Sequence, residues 1–167
     1  MASISLLKIA EKMKLENLTP EINLKGIKVT LPDNNRPELP MAGYFEHFEA
    51  TRLQVIGFVE YSYVKRMSEK EEKEMLEKLL DYPIPGIIFC RELHPDELFR
   101  QIAIEKGVPL LMTKRATSSF TAELIRWLNV KLAPCISVHG VLVDVYGEGV
   151  LITGESGIGK SEAALEL

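Results

Sequence analysis

The chain is poor in cysteine, aromatics, positive charge and long apolar runs. Its two cysteines, Cys90 and Cys135, stand far apart and outside any CxxC spacing. That argues against a disulfide framework and a thiolate zinc site, and it suits a reducing compartment. With 20 Lys+Arg against 24 Asp+Glu, the formal net charge is −4. Such a balance gives no basic footprint for nucleic acid. No apolar run approaches the roughly 18 residues that a membrane span requires. The first residues meet Lys8, Glu11 and Lys12 before a signal-peptide core forms. The expectation is a cytoplasmic globular protein with neither a membrane nor a nucleic-acid partner.

What is present is ample apolar content. Hydrophobic residues make up 46 % of 167, enough to bury a core in one domain, or in one domain plus a piece of another. Leu6, Ile9, Ala10 and Met13 follow helical spacing, so residues 3–14 read as an amphipathic helix. Residues 26–31 alternate as a short strand. Residues 53–59, Leu-Gln-Val-Ile-Gly-Phe-Val, read as a more buried one. Between these, Pro32, Pro37 and Pro40 bracket a loop. Ser68-Glu-Lys-Glu71 is a capping box opening a helix to about Leu80, with Glu69–Lys73 and Glu74–Lys78 spaced to pair on a solvated face.

The alternation continues toward the chain's middle. Residues 85–90 form a buried strand, and Pro95 suits the first position of a helix that Gly107 ends. Residues 108–112 form another apolar run, which Pro109 assigns to an edge or a strand start. Phe120, Leu124, Trp127 and Leu128 make one helical stripe, which assigns Trp127 and Phe120 to the core. Tyr44, Phe45 and Phe48 read as a packing cluster, and His47 and His94 as surface or turn residues. Strands alternating with helices predict an α/β domain with a mostly parallel sheet over residues 1–133. A boundary near Ala133-Pro134 separates it from residues 134–167.

Past that boundary six of the 11 glycines fall within residues 140–159. Residues 138–145 and 150–153 are predicted strands joined by a glycine turn at residues 146–149, an antiparallel hairpin. The second strand runs into Gly154-Glu155-Ser156-Gly157-Ile158-Gly159-Lys160-Ser161, a complete GxxxxGK[ST] pattern. In such a loop the glycines let successive N–H groups turn inward around phosphate oxygens. Lys160 reaches the β- and γ-phosphates, and the Ser161 hydroxyl can bind Mg²⁺. The helix that follows turns its positive end toward the same anion. Glu155 is an acidic residue inside this anion-binding loop, so it weakens phosphate affinity unless it faces away or helps with a metal. His139 reads by spacing as a strand histidine bonded to backbone, beside the sharper reading of a catalytic group. Asp144 reads as a solvent-facing strand residue, or as a metal ligand by way of water.

The stretch from His139 through the hairpin and Gly154–Ser161 to Leu167 resembles the start of the catalytic domain of the bacterial HPr kinase/phosphorylase family. Met41-Ala-Gly-Tyr-Phe, Arg52-Leu-Gln-Val-Ile-Gly, Arg91-Glu92 and Ala133-Pro134 resemble that family's amino-terminal domain. The resemblance implies a P-loop kinase domain whose first part is residues 134–167, preceded by a regulatory or assembly domain. It implies phosphorylation of a serine of the phosphocarrier protein HPr from ATP or pyrophosphate with Mg²⁺, and phosphorolytic removal of that phosphate, in carbon catabolite repression. It implies a sugar bisphosphate effector and a homohexamer. It assigns residues 154–161 to the nucleotide, Ser161 also to the metal, and His139 and Lys160 to catalysis. The family's catalytic aspartate, metal-binding glutamate and catalytic arginine are implied beyond Leu167. The expectation is therefore an incomplete, inactive first half of the enzyme. The alternative is a regulatory α/β binding or assembly module with a vestigial phosphate loop.

Overall fold

The computed structural model describes residues 2–167. The chain divides into two compact units, one ending at Ala133 and the other comprising Pro134–Leu167.

In the first unit the elements run β1 (Ile4–Ser5), α1 (Leu6–Met13), β2 (Glu16–Asn17), β3 (Lys28–Val29), β4 (Asn34–Asn35) and α2 (Glu38–Met41). They continue with β5 (Leu53–Ile56), α3 (Phe58–Val64), α4 (Glu69–Leu79), β6 (Ile87–Phe89), α5 (Glu97–Lys106), β7 (Leu110–Met112) and α6 (Thr117–Leu132). The main sheet has the order β2-β7-β6-β5-β4. Its pairs β4–β5, β5–β6 and β6–β7 are parallel, and β2 closes one edge antiparallel. This is the mostly parallel α/β sheet with flanking helices that the sequence predicts.

Side-chain alternation along the strands splits the core in two. Ile56, Ile87, Phe89, Leu110 and Met112 pack with Leu76, Leu79, Phe99 and Ile102 of α4 and α5. Leu53, Val55, Ile88, Cys90 and Leu111 pack with Leu6 and Ile9 of α1 and with Phe120, Leu124 and Leu128 of α6. Trp127 is half-buried against this second cluster. Phe45 stacks on Tyr82 at 4.9 Å, and Phe48 meets the same ring edge-on at 5.3 Å. Tyr44 stands outside that cluster, exposed, with its hydroxyl donating to Glu46.

Several local expectations are corrected. Helix α1 begins at Leu6 because Ser5 caps it, its hydroxyl accepting from the Lys8 N–H at 3.4 Å. Ile4 and Ser5 instead pair with Val29 and Lys28, to which the predicted strand 26–31 contracts. The strand predicted over residues 53–59 stops at Ile56. The buried Glu60 carboxylate accepts from the Gly57 N–H at 2.9 Å and turns the chain into α3, leaving Phe58 and Val59 exposed. The proline-bracketed loop contains β4 and α2. Asp96, rather than Pro95, starts α5, its carboxylate accepting from the Phe99 N–H at 3.0 Å. Pro109 stands directly before β7, the strand-start alternative of its reading, while the sheet edge belongs to β2. On α4 the ion pairs are Lys70–Glu74 and Lys73–Glu77, not the two predicted, and all four side chains are exposed.

The second unit is a hairpin followed by a helix: β8 (Gly140–Val145), β9 (Glu148–Thr153) and α7 (Lys160–Glu166). Strand β8 starts two residues later than predicted. The turn is the two residues Tyr146 and Gly147, with φ of 55° and 87°. Positive φ at both turn positions matches the strand twist of a hairpin, so pairing resumes at Glu148. Among the described residues no helix is long and apolar enough to cross a membrane.

Candidate functional site

The hairpin register decides which residues meet. Gly140 pairs with Thr153, so His139 and Gly154 leave the hairpin at the same end. Asp144 pairs with Gly149 near the opposite end, and its Oδ1 accepts from the Gly147 N–H at 2.8 Å. Four residue steps of roughly 3.4 Å each along the strand keep Asp144 away from the loop. Asp144 is thus the solvent-facing strand residue of its first reading, and the metal-ligand alternative is set aside.

From Gly154 the backbone curls. Gly157 and Gly159 have φ of 85° and 92°, a region that side chains with a Cβ rarely adopt. The curl borders an open hollow of about 680 Å³ lined by His139, Glu155, Ser156, Lys160, Ser161, Glu162 and the glycines at 140, 154, 157 and 159. Lys160 Nζ donates to the Gly154 carbonyl at 2.9 Å and to the Glu155 carbonyl at 2.6 Å. The lysine thus bridges the start of the loop it ends.

Of the predicted residues, His139, Gly154, Glu155, Ser156, Gly157, Gly159, Lys160 and Ser161 line one hollow. Ile158 does not line it, and its residue is 69 % exposed. Glu162, absent from the predicted set, does line it. Its signal in the sequence is its place directly after Ser161, on the first turn of the helix that the loop opens. His47 and His94 are exposed. Among the described residues no group of three or more His, Cys, Asp and Glu gathers to hold a metal ion.

The hollow suits a polyphosphate chemically: an ammonium, two serine hydroxyls and a glycine-rich backbone surround it. The loop carries the P-loop sequence pattern, in a unit that follows an α/β amino-terminal unit along the chain. Residues 4–128 match the family described as the HPr Serine kinase N terminus, and residues 130–167 match the HPr Serine kinase C-terminal domain. The chain belongs to the HPr serine kinase family.

It is 54 % identical over 167 residues to the HPr kinase/phosphorylase of Lachnoclostridium phytofermentans, covering 100 % of this chain and 54 % of that protein. It is 43 % identical over 169 residues to that of Shouchella clausii, with coverages of 100 % and 54 %. The Caldicellulosiruptor bescii relative is 42 % identical over 160 residues, with coverages of 96 % and 51 %. The chain spans about half the length of these relatives. A solved structure of the CBS and DRTGG domains of a Clostridium perfringens pyrophosphatase overlaps it at a TM-score of 0.45 and 13 % identity. That overlap covers 72 % of this chain and 45 % of that one.

Proposed function

We propose that the chain carries the amino-terminal unit and the polyphosphate-binding loop of a bifunctional HPr serine kinase/phosphorylase. The observation that carries this reading is the hollow that gathers the curled loop, Lys160, Ser161 and His139 in a chain matched by both family models. ATP or pyrophosphate is the ligand the loop suits. Lys160 exchanges its two carbonyl partners for phosphate oxygens, and the backbone N–H groups of residues 154–160 face the same oxygens. The Ser161 hydroxyl is the protein's ligand to Mg²⁺. When bound, the cation supplies neutralisation of charge on the phosphoryl group being transferred. His139, which also lines the hollow, orients a phosphate oxygen by hydrogen bonding.

The reaction class is transfer of a phosphoryl group to a serine of HPr, and its reversal by inorganic phosphate with release of pyrophosphate. The setting is cytoplasmic carbon catabolite control, with a sugar bisphosphate effector and a homohexameric assembly. Transfer to a serine also needs a carboxylate that accepts the hydroxyl proton. Within residues 134–167 the acidic residues that line the hollow are Glu155, of the loop, and Glu162, of the helix turn it opens. We therefore assign polyphosphate binding to this chain and turnover to a protein of the relatives' full length.

The test mixes the chain, or the full-length Lachnoclostridium phytofermentans relative, with Mg²⁺, ATP and HPr, and weighs HPr intact. The expected result is a phosphoryl mass on HPr with the relative alone. This chain should bind pyrophosphate in calorimetry, and K160A should lose that binding by more than about tenfold. A phosphoryl mass produced by the chain itself would overturn the assignment of turnover. Absence of polyphosphate binding would overturn the cradle reading and leave an amino-terminal binding or assembly module.

A further inference from the structure

An anion-binding hollow is expected to carry net positive charge, and this one does not. Its lining includes two acidic residues, Glu155 and Glu162, against one lysine, Lys160. The lysine ammonium is already engaged by the carbonyls of Gly154 and Glu155 at 2.9 and 2.6 Å. Glu162 Oε2 lies 3.8 Å from where a Cβ would stand at Gly159, against the curl of the loop. Among the described residues neither glutamate has a cationic partner within ion-pair distance. Their charge therefore acts on whatever enters the hollow.

We propose that Glu155 and Glu162 make the loop selective for polyphosphate that arrives already complexed with a divalent cation, by repelling the bare anion. The inference rests on the cradle reading above and extends it to the species that is bound. A multiply charged phosphate chain near two unneutralised carboxylates is disfavoured at any dielectric constant. The same chain carrying a divalent cation has two of its negative charges offset, and the repulsion falls accordingly. The two glutamates are thus specificity-determining residues. They discriminate between charge states of one ligand without touching the metal.

This role is separable from direct metal ligation. A carboxylate that ligates the cation loses affinity for the complex when changed to an amide. A carboxylate that repels the bare anion gains affinity for that anion instead. Both side chains lie at the surface, so Glu155→Gln and Glu162→Gln preserve shape while removing charge.

The experiment is calorimetry of the full 167-residue chain with inorganic pyrophosphate, once in EDTA and once in saturating Mg²⁺, for the unaltered chain, E155Q and E162Q. The unaltered chain should bind the Mg²⁺ complex on the order of tenfold more tightly than the bare anion. Each substitution should raise affinity for bare pyrophosphate by about threefold to tenfold, an effect that shrinks at high salt. Affinity for the complex should stay within about twofold. Equal binding of both forms by the unaltered chain would overturn the proposal. So would substitutions that leave the gap in place or weaken the complex. Binding of neither form by the unaltered chain would overturn the cradle reading itself, and this inference with it.

Discussion

Arg36 grips the buried Glu60 carboxylate through two parallel hydrogen bonds, Nε to Oε1 at 2.5 Å and Nη2 to Oε2 at 2.6 Å. The fork ties the residue after β4 to the first turn of α3, and Glu60 Oε2 also accepts from the Gly57 N–H at 2.9 Å. Burial alone would raise the Glu60 carboxyl; the Arg36 fork and the backbone N–H groups outweigh it and hold it below the usual carboxylate range.

Arg36→Ala leaves a buried carboxylate without its cation. A fully buried pair broken this way costs about 3–5 kcal/mol. The Arg36 side chain is 38 % exposed, so solvent screening reduces the expected loss to roughly 2 kcal/mol. Urea unfolding at pH 7 measures it. Because the folded-state pKa is depressed, the pair's contribution is present above the ordinary glutamate range. It is lost as pH falls through the lowered value, and R36A flattens that acid limb.

Glu72 shifts the opposite way. It is 6 % exposed, and its Oε1 has no hydrogen-bond partner. Burial, then the facing Asp96 carboxylate, raises its carboxyl from 4.5 to about 7, with Lys65 opposing and Glu69 adding to the rise. Asp96 itself caps α5 and pairs with Lys65 at 3.2 Å. The folded state holds the Glu72 proton longer than the unfolded chain does, so this group's contribution is full at low pH. It falls as pH rises from about 4.5 to about 7 and is level above that. Glu72→Gln should remove this slope, read as the difference between variant and parent unfolding free energies across pH 4.5–8.

Only one of the two cysteines should react with a thiol reagent in the folded chain. Cys135 is exposed; Cys90 is buried under the second core, and burial pushes its thiol up to about 11. A thiolate is the reacting species, so Cys90 is protected by both access and ionisation. Counting modified thiols by mass before and after denaturation should give one and then two.

Phe120→Ala should cost about 3–5 kcal/mol, the range for a fully buried phenylalanine. The ring is 0 % exposed and sits where α6 meets Leu53, Val55 and Leu111 of the sheet. Trp127 on the same helix reports the loss by fluorescence during urea unfolding.

Periodicity made the helices legible. The stripe Phe120-Leu124-Leu128 predicts the buried face of α6, and Ser68 with Glu71 marks the start of α4. Misreadings arose where a distant partner decides the local state. Phe58 and Val59 have strand-like side chains, but Glu60 and Arg36, 24 residues apart, start a helix there. Asn34 and Asn35 form a strand only because Leu53 and Gln54 lie alongside. The loop could be read residue by residue because the motif is contiguous. The meeting of His139 with Gly154 depends on the hairpin register, and Glu162 on the turn of helix after the lysine; neither follows from spacing alone.

The four parallel strands lie side by side in the order in which they occur along the chain. Each new strand therefore finds its neighbour already made, and the sheet can grow in one direction as synthesis proceeds. The exception is β2, which pairs with β7: Glu16 waits for Met112 and Asn17 for Leu111. Helices α1 and α6 both contribute to the second core, which imposes the same delay on α1. Strand β2 and helix α1, early in the chain, are thus among the last parts of this unit to settle. A chain interrupted anywhere before Met112 keeps its sheet edge open and its first helix without a completed surface to rest on.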